Sequence, residues 1–502
     1  MDDEERYEPG RQGGGRRLRW SWRRRLFMGV AVMVVALGLP AWVLHSAAQV
    51  RHQSEIDLIR EAGEPLTFED LNALREPIPD DQNMALRIVP LFDSLQMEES
   101  AAPALPIVGK SRKTQAALGQ RHNAEMLDAM KAFLALHQDT LAQLHAAARL
   151  ERGVFPIDWA ADGISTTYAH HAPLRGAAKL LALEARVCAD RGDLNGAMES
   201  CLAVFRMAAC VREEPNLFGF LSGIAIDSLG IDALQGVLAV GEPDTVWIDR
   251  IQAEVEPWRD QHGLVQRALF GERVMGLACF SSVRAGAIQP GHSSELGEVA
   301  QVTRNVPKLL DLNEQKYLRL MRLQCEAAAM PFKDCVQRLR SLEEESSELS
   351  LLYVLASILD TQVVRATELF VKTRAQIRAA VAGLEVEKFR RAHGRWPATL
   401  EEVFGDDPAG MPLDPFNDDA PMRYVVDEAG CTIYSFSEDE KDDGGVTEPV
   451  DGKRAPDVGF RLLSPHLRGA TVTTQPVDKE VWEAIEALRA AATQPAATAP
   501  VR

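Results

Sequence analysis

The spacing of apolar and polar residues predicts helices along most of the chain. Residues 49–347 are rich in Ala and Leu, and almost none of their segments show the alternating pattern of a half-buried strand. The clearest unit is a pair of helices, Leu174 to Ala189 and Leu194 to Val211, joined by the turn Asp190 to Asp193. We therefore predict a helical domain over residues 49–347, built as an α-hairpin bundle or an irregular helical solenoid.

The turn and second helix of this hairpin resemble part of a tetratricopeptide repeat. The resemblance rests on Gly192-Asp193-Leu194 and on Ala197, Cys201 and Phe205, which recur every four residues along one face. It covers about half of one repeat, whereas a repeat array needs several copies at a fixed period. No second copy follows in the sequence, so a hairpin bundle is favoured over an array.

The pattern changes after residue 348. A long helix is predicted to end near His393. Short runs of β-forming residues follow it and predict a small α+β module over residues 348–465. These runs are Met422 to Val426, Cys431 to Phe436 and Val458 to Leu463. Residues 466–502 predict a short amphipathic helix and a disordered tail.

The N-terminus combines a cluster of arginines with an apolar segment. The arginines of residues 1–25 precede Leu26 to Leu44, an uncharged run about long enough to cross a bilayer core. This order predicts a cytoplasmic basic tail, a transmembrane helix at residues 26–48 and an exported remainder. Two alternatives stay open, a signal peptide cleaved near Ser46-Ala47-Ala48 and a twin-arginine signal at Arg24-Arg25. The anchor is favoured because the apolar run is longer than the core of a usual signal peptide.

Composition narrows the class of protein. A chain of 502 residues exceeds one ordinary core, and a formal net charge of −18 argues against the basic surface typical of nucleic-acid-binding proteins. The seven cysteines are an odd number and form no Cys-x-x-Cys pair, so zinc-ribbon and thioredoxin-type sites have no support. We interpret the cysteines as small buried side chains in helices.

The sequence contains none of the familiar catalytic motifs. It has no His-Glu-x-x-His, no Gly-x-Ser-x-Gly, no phosphate-binding Gly-x-x-x-x-Gly-Lys and no dinucleotide-binding glycine pattern. His170, His171 and Glu184 form the one group that we nominate for chemistry, although adjacent histidines point to different sides of a helix or strand. We therefore assign no catalytic or cofactor-binding residue and keep an envelope hydrolase as an alternative.

The C-terminal module resembles the globular head of the major pseudopilin of type II secretion systems. The resemblance rests on Phe389 to Pro397 at the end of a helix, a short Leu400 to Val403 helix, Asp414-Pro415-Phe416, Tyr424 and an Asp-rich loop. It implies a helix packed on a small antiparallel sheet, with a calcium ion bound by the acidic loop. The similar region is residues 375–445. The chain differs from the family in two ways. Its anchor contains no glutamate, and a long helical domain separates the anchor from the module. No pilus-like filament is therefore expected.

The acidic loop offers oxygen ligands for this ion. Asp439, Asp442 and Asp443 stand beside two glycines, and Ser437 adds a hydroxyl group. Calcium prefers six to eight such oxygens, so we predict a Ca²⁺ site at these four residues. Glu438 stands where the family has a glycine, and a solvated acidic turn remains the alternative.

Together these features predict a non-catalytic, membrane-anchored scaffold or interaction protein of the bacterial envelope. We expect a single-pass protein of the inner membrane, held by residues 26–48, with its N-terminus in the cytoplasm and its bulk in the periplasm. Other envelope proteins are its expected partners, and no nucleic acid or small-molecule substrate is predicted. The alternatives are an accessory component of a secretion or pilus-like system and the envelope hydrolase.

Overall fold

The computed structural model describes most of the chain after residue 51. The described residues are 52–95, 105–109, 116–259, 261, 263–287, 304–347, 356, 363–405, 410–417, 420–437, 441–449 and 454–493. The chain divides into two compact units, Met1–Ser54 and Glu55–Arg502, and all labelled elements belong to the second. The predicted basic tail (1–25) and transmembrane helix (26–48) lie outside the described residues, as does the tail after residue 493.

Helices make up most of the described chain, as the apolar spacing predicts. Residues 55–61 are helical. The labelled helices are α1 (Phe68–Ala73), α2 (Met84–Ile88), α3 (Phe92–Leu95), α4 (Ala124–Leu136), α5 (Gln138–Ala147), α6 (Trp159–Asp162), α7 (His171–Asp190), α8 (Leu194–Arg212), α9 (Leu217–Leu238), α10 (Thr245–Val255), α11 (Gly263–Ala285), α12 (Pro307–Ala328), α13 (Phe332–Ser347), α14 (Val363–His393), α15 (Glu401–Phe404) and α16 (Lys479–Thr493). Short 3₁₀ turns lie at Val89–Leu91, Gly163–Ser165, Glu256–Trp258 and Pro465–Leu467. The prediction of a mainly α fold is confirmed.

The predicted hairpin lies at the centre of the helical region. Helix α7 packs against α8, and α9 packs against both of them. In the turn, Gly192 adopts a φ of +86° and its amide donates to the Ala189 carbonyl, which ends α7. Asp193 then begins α8 by accepting a hydrogen bond from the Gly196 amide. Because α8 runs back along α7, its last residues return to the first residues of α7.

The C-terminal region contains the predicted small sheet. The strands are β1 (Gln120–Arg121), β2 (Leu413–Asp414), β3 (Ala420–Pro421), β4 (Arg423–Asp427), β5 (Gly430–Ser435), β6 (Val458–Leu463) and β7 (Thr471–Val472). Strands β4, β5 and β6 form an antiparallel sheet in that order. Strands β2 and β3 form an antiparallel pair, and β1 pairs with β7 in parallel. All three predicted strand runs are therefore present, each within a residue or two of its predicted bounds.

Helix α14 joins this sheet to the helical region. It packs on β5 and β6 and also contacts α9 and α10. Gly383 permits the close approach, because a Cβ atom there would lie only 2.6 Å from the Phe460 ring. Strand β5 is buried along its whole length. The sheet and the central helices consequently share one hydrophobic cluster.

Two described helices, α8 and α9, are long and apolar enough to cross a membrane by length and composition. However, 67% of the most apolar window of α8 and 56% of that of α9 are buried within the fold. This burial is typical of core helices, which pass the same test of length and apolarity. The predicted amphipathic helix is α16, whose Val481 and Ile485 are buried beside α4.

All seven cysteines have free thiols, and six of them are buried. Burial raises the pKa of the Cys335 thiol to about 12 and that of Cys431 to about 12, so these groups stay protonated and unreactive. The interpretation of the cysteines as small buried side chains in helices is confirmed for five of the seven, because Cys188 is half-buried and Cys431 lies in strand β5.

Candidate metal centre

Two imidazoles and one carboxylate converge at one end of the α7–α8 hairpin. His170 precedes α7 and His171 begins it, whereas Glu214 lies in the connection between α8 and α9. Helices α7 and α8 contain 20 and 19 residues, so the end of α8 returns beside the start of α7. The hairpin therefore brings Glu214 to His171 across 43 positions of sequence.

Glu214 accepts hydrogen bonds from both imidazoles. His170 Nε2 donates to one carboxylate oxygen over 2.7 Å, and His171 Nε2 donates to the other over 3.0 Å. The Asn216 amide donates to the second oxygen over 3.2 Å and fixes the orientation of the carboxylate. His170, His171 and Glu214 are only 5%, 7% and 7% exposed. A carboxylate this deeply buried must be compensated by hydrogen bonds or a cation.

Although adjacent histidines are expected to point to different sides of a helix or strand, the rings of His170 and His171 reach the same carboxylate. His170 lies immediately before the helix, and His171 is its first residue. The two rings meet edge to face with centroids 4.2 Å apart, and each reaches a different oxygen of Glu214. Both Nε2 atoms therefore point to one place.

Glu184, which sequence reasoning grouped with the histidines, belongs to a different site. It lies 13 positions after His171 in α7, a separation of about 20 Å along a helix. There it accepts hydrogen bonds from His145 Nε2 over 2.6 Å and from the Ser200 hydroxyl over 2.9 Å. The nominated histidines are brought together, and Glu214 takes the place that we gave to Glu184.

Aromatic rings enclose the cluster. Phe155 stacks on His170 with centroids 4.3 Å apart, and Tyr168 stacks on His171 with centroids 5.5 Å apart. Burial raises the pKa of Tyr168 to about 12, so its phenol stays neutral. Phe218, which is 64% exposed, packs on the outer side of Tyr168. The rings exclude water from the imidazoles and hold them in position.

A small cavity lies on another side of the cluster. Its volume is about 240 Å³, and Glu214 lies in its wall together with Arg75, Glu254, Trp258 and Arg267. Arg75 donates to the carbonyl oxygen of Ile157 over 2.8 Å and interacts electrostatically with Glu214. Glu214 is thus the member of the cluster that borders open space.

The chemistry of the three side chains fits a divalent transition metal. Imidazole nitrogen and carboxylate oxygen are preferred zinc ligands, and two histidines with one glutamate form a known catalytic ligand set. The three ligand atoms lie within 4.8 Å of one another. A tetrahedral zinc ion has ligand atoms about 3.3 Å apart, so ligand atoms that now lie up to 4.8 Å apart would have to move closer together. Within the described residues, this is the group that meets the distance and ligand criteria for an ion.

The electrostatics of Glu214 favour its charged form. Burial alone opposes ionisation, but the hydrogen bonds from His170 and His171 outweigh burial and lower the pKa of Glu214 to about 2, from an ordinary 4.5. As pH falls, the unfolded chain therefore takes up this proton before the folded chain does. The stabilisation from Glu214 is complete above about pH 4.5 and is lost as the pH falls towards 2.

We expect Glu214→Gln to show this dependence. The difference in free energy of unfolding between the wild type and the variant should be largest above pH 4.5 and should shrink towards pH 2. Urea unfolding at a series of pH values, followed by circular dichroism, measures it. A difference that stays constant across this range would show that the folded-state pKa of Glu214 is ordinary.

The predicted calcium loop lies partly within the described residues. Asp439 lies outside them. Asp442 pairs with Arg423 over 2.9 Å and accepts a hydrogen bond from the Tyr434 hydroxyl over 3.0 Å. The Asp443 amide donates to buried Asp457, which also accepts from Gly445 over 2.8 Å. Internal contacts thus satisfy much of this loop, and Ca²⁺ bound by Ser437 and the three aspartates stays a prediction.

Comparisons with protein-family models, with curated proteins and with solved structures found no match to this chain.

Proposed function

We propose that this protein binds a divalent transition-metal ion at His170, His171 and Glu214. The observation that carries the proposal is the convergence of three buried ligand atoms within 4.8 Å. Zinc is the natural probe because it accepts this mixture of nitrogen and oxygen ligands. To bind the ion, each imidazole would lose its Nε2 proton to solvent and carry a single proton on Nδ1, which leaves the ring neutral. His170 and His171 then act as neutral ligands through Nε2, while the Asn216 amide keeps the carboxylate in place.

A hydrolase built on this centre is the second candidate function. Structural zinc sites are closed by four protein ligands, whereas catalytic sites have three and leave one position for water or substrate. Here three ligands converge, and Glu214 borders a cavity of about 240 Å³. A metal ion in such a site lowers the pKa of its bound water and can activate it for attack on an ester, amide or phosphate.

The proposed location is the bacterial envelope, with residues 26–48 as a single anchor in the inner membrane and the helical body in the periplasm. The arginines before the apolar segment support this topology. The buried thiols are compatible with an oxidising compartment, because burial keeps them protonated and out of reach. Within this location the protein acts as a scaffold that binds other envelope proteins.

An accessory role in a secretion system is supported by the C-terminal module. Its long helix packs on a small antiparallel sheet, an arrangement that the pseudopilin resemblance implies. The acidic loop after β5 lies beside this sheet. If the role is correct, secretion components should copurify with the protein after mild crosslinking in membranes, and their consistent absence would refute it.

Metal binding is tested by thermal unfolding of the full-length protein in detergent. A ligand that binds only the folded state stabilises it by mass action, by about 2.7 kcal/mol at a hundredfold excess over Kd. We expect Zn²⁺ to raise the unfolding temperature and a chelator to reverse the rise. Glu214→Gln, which keeps the size of the side chain, should abolish the rise.

His145→Ala provides the matched control. It removes an imidazole that also pairs with a glutamate, the partly buried Glu184. That pair includes one histidine, whereas the proposed metal centre has two. The variant should therefore keep the full response to Zn²⁺. A wild type that does not respond, or an equal response in Glu214→Gln, would contradict the proposal.

The open coordination position is tested with cobalt in place of zinc. Co²⁺ in a three-ligand site gives visible absorption bands that change when an added anion occupies the remaining position. We expect azide or acetohydroxamate to shift the bands of the cobalt-loaded protein. Bands that no added anion changes would leave metal binding intact and exclude the hydrolase.

A further inference from the structure

The cavity beside the metal centre is lined by two guanidinium groups that pair with no carboxylate of the described chain. Arg75 lies just after α1, and Arg267 lies on α11. Arg267 Nη2 donates to the carbonyl oxygen of Leu74 over 2.7 Å, which holds the segment that carries Arg75 against α11. Arg75 itself donates to the carbonyl oxygens of Ile157 and Phe155. Both guanidinium groups are thus held in place by main-chain oxygens, which carry no full negative charge.

The surroundings of both groups disfavour their positive charge. The two side chains are half-buried. Burial lowers the pKa of Arg75, and Arg267 lowers it further, whereas Glu214 opposes the shift. Burial also lowers the pKa of Arg267. Two like charges that lie close together in a partly buried place are stabilised by an anion that contacts both.

The carboxylates in the same wall compensate this charge only in part. Glu254 is already paired with Arg206, over 2.9 Å. Three other glutamates are exposed, where water and salt screen their charge. These three are Glu76, Glu151 and Glu213. The fifth carboxylate is that of Glu214, whose charge the proposed metal ion would neutralise. With the metal bound, the inner part of the cavity therefore has an excess of positive charge.

This arrangement fits a phosphate group better than a carboxylate. A guanidinium group has five N–H donors, so the carbonyl contacts leave donors on both Arg75 and Arg267. Guanidinium groups bind phosphate through paired hydrogen bonds, and phosphate has enough oxygens for the metal ion and both arginines. A carboxylate has two oxygens, which three cationic groups would have to share. The cavity volume of about 240 Å³ is below that of sites for drug-sized ligands, so the anion must be small.

We propose that this cavity binds a phosphate group, either as free phosphate or as the end of a small phosphate monoester. One phosphate oxygen occupies the open position on the metal ion, and the other oxygens accept hydrogen bonds from Arg75 and Arg267. The inference rests on the proposed metal centre and assigns a ligand class to its open position. Because the metal ion and the arginines hold the same anion, phosphate should bind more weakly to the metal-free protein.

The test is isothermal titration of the full-length protein in detergent, loaded with Zn²⁺ and dialysed, with its zinc content measured first. The probes are inorganic phosphate, phenyl phosphate and acetate. Phosphate should bind at least about tenfold more tightly than acetate, and about tenfold more tightly with zinc than without it, because each comparison removes a charged contact. Phenyl phosphate that binds as tightly as phosphate identifies a monoester site, whereas much weaker binding identifies a site for free phosphate.

Substitution of the two arginines separates the cavity from the metal ion. Arg75→Met and Arg267→Met should each weaken phosphate about tenfold or more and leave the zinc content unchanged, since neither side chain is a metal ligand. Both arginines also hold main-chain carbonyls, so circular dichroism verifies folding. Arg75→Lys and Arg267→Lys keep the charge but lose the paired donors, and they should bind phosphate with intermediate affinity.

Arg152→Met is the matched control. Arg152 lines the same cavity, but it is exposed and pairs with Glu76 over 2.7 Å, so the variant should bind phosphate like the wild type. Zinc-loaded protein that binds no phosphate, or binds it equally in all four variants of Arg75 and Arg267, overturns this inference and leaves the metal centre intact. Protein that retains no zinc refutes the metal centre and this inference with it.

Discussion

Replacing Glu387 with Gln is expected to lower the free energy of unfolding by about 3–5 kcal/mol, because it leaves buried guanidinium groups without their counter-charge. Glu387 on α14 is fully buried and accepts two hydrogen bonds from Arg468, over 2.9 and 2.8 Å. It also accepts from Arg390 and Arg391 of its own helix. Burial opposes ionisation, but these arginines outweigh it and lower the pKa of Glu387 to about 2.

The effect is large because the remaining carboxylate near Arg468 is Glu242, which is 3.8 Å away and 42% exposed. The side chain of Arg468 is 2% exposed, and its Nε donates to the Leu463 carbonyl at the end of β6. The network therefore connects the last strand of the sheet to the C-terminal part of α14. A glutamine at position 387 would place an amide donor against these guanidinium donors, so both ends of the contact lose stability.

Urea unfolding followed by circular dichroism measures this loss, and Glu483→Gln provides its control. Glu483 pairs with Lys479 over 2.7 Å on the exposed face of α16, where ion pairs contribute less than about 1 kcal/mol. The same chemical change should have little effect there. Equal losses in the two variants would contradict a structural role for the buried network.

The second large effect is expected from Gly271→Ala in α11. A Cβ atom at this position would lie 1.6 Å from the Pro215 carbonyl oxygen and 2.6 Å from its carbon. Both are main-chain atoms, so no side-chain rotation relieves the overlap, and the loss of stability should be on the order of 3 kcal/mol. Pro215 directly follows Glu214. The displaced connection should therefore also weaken the response of the unfolding temperature to Zn²⁺.

Gly263→Ala is the control for this prediction. Gly263 is the first residue of the same helix, and a Cβ atom there would have no neighbour within 4 Å. Alanine favours a helix over glycine by up to about 1 kcal/mol, so the variant should be as stable as the wild type or slightly more stable. If both glycine variants behave alike, close packing of α11 on the Pro215 connection is refuted.

Local sequence patterns were sufficient to predict most helices and strands of the fold. The strand Val458–Leu463 coincides with its prediction, and the Asp190–Asp193 turn separates α7 from α8 as expected. Apolar spacing and turn residues act within a few positions, so they can be read without knowledge of the tertiary structure. Helix α14 was likewise predicted, although its predicted start near Leu349 lies outside the described residues.

The complete candidate site could not be predicted from sequence, because it is formed by contacts between residues far apart in the chain. His170 and His171 were nominated, but their partner Glu214 lies 44 and 43 positions away, respectively, in a connection between helices. One signal could have found it. Two consecutive helices of nearly equal length return the end of the second to the start of the first, which places Glu214 near His171 rather than Glu184.

The contact between His122 and Asp190 was even harder to predict from sequence. The two residues are 68 positions apart, and the contact requires β1 to lie against the end of α7. No periodic pattern records that arrangement. In the acidic loop, by contrast, the sequence predicts an interaction that has a rival in the structure. The composition of the loop predicts a bound ion, whereas Asp442 already has Arg423 as a cationic partner.

The most direct test of the central claim is X-ray absorption at the zinc edge of the full-length protein, after loading with Zn²⁺ and dialysis. Metal binding at the cluster predicts one zinc per chain, with two imidazole nitrogens and a carboxylate oxygen at about 2.0–2.2 Å. Glu214→Gln should contain no bound zinc after the same dialysis. A wild type that retains no zinc, or zinc ligated by sulfur in place of imidazole, would contradict the assignment of His170, His171 and Glu214 as a metal centre.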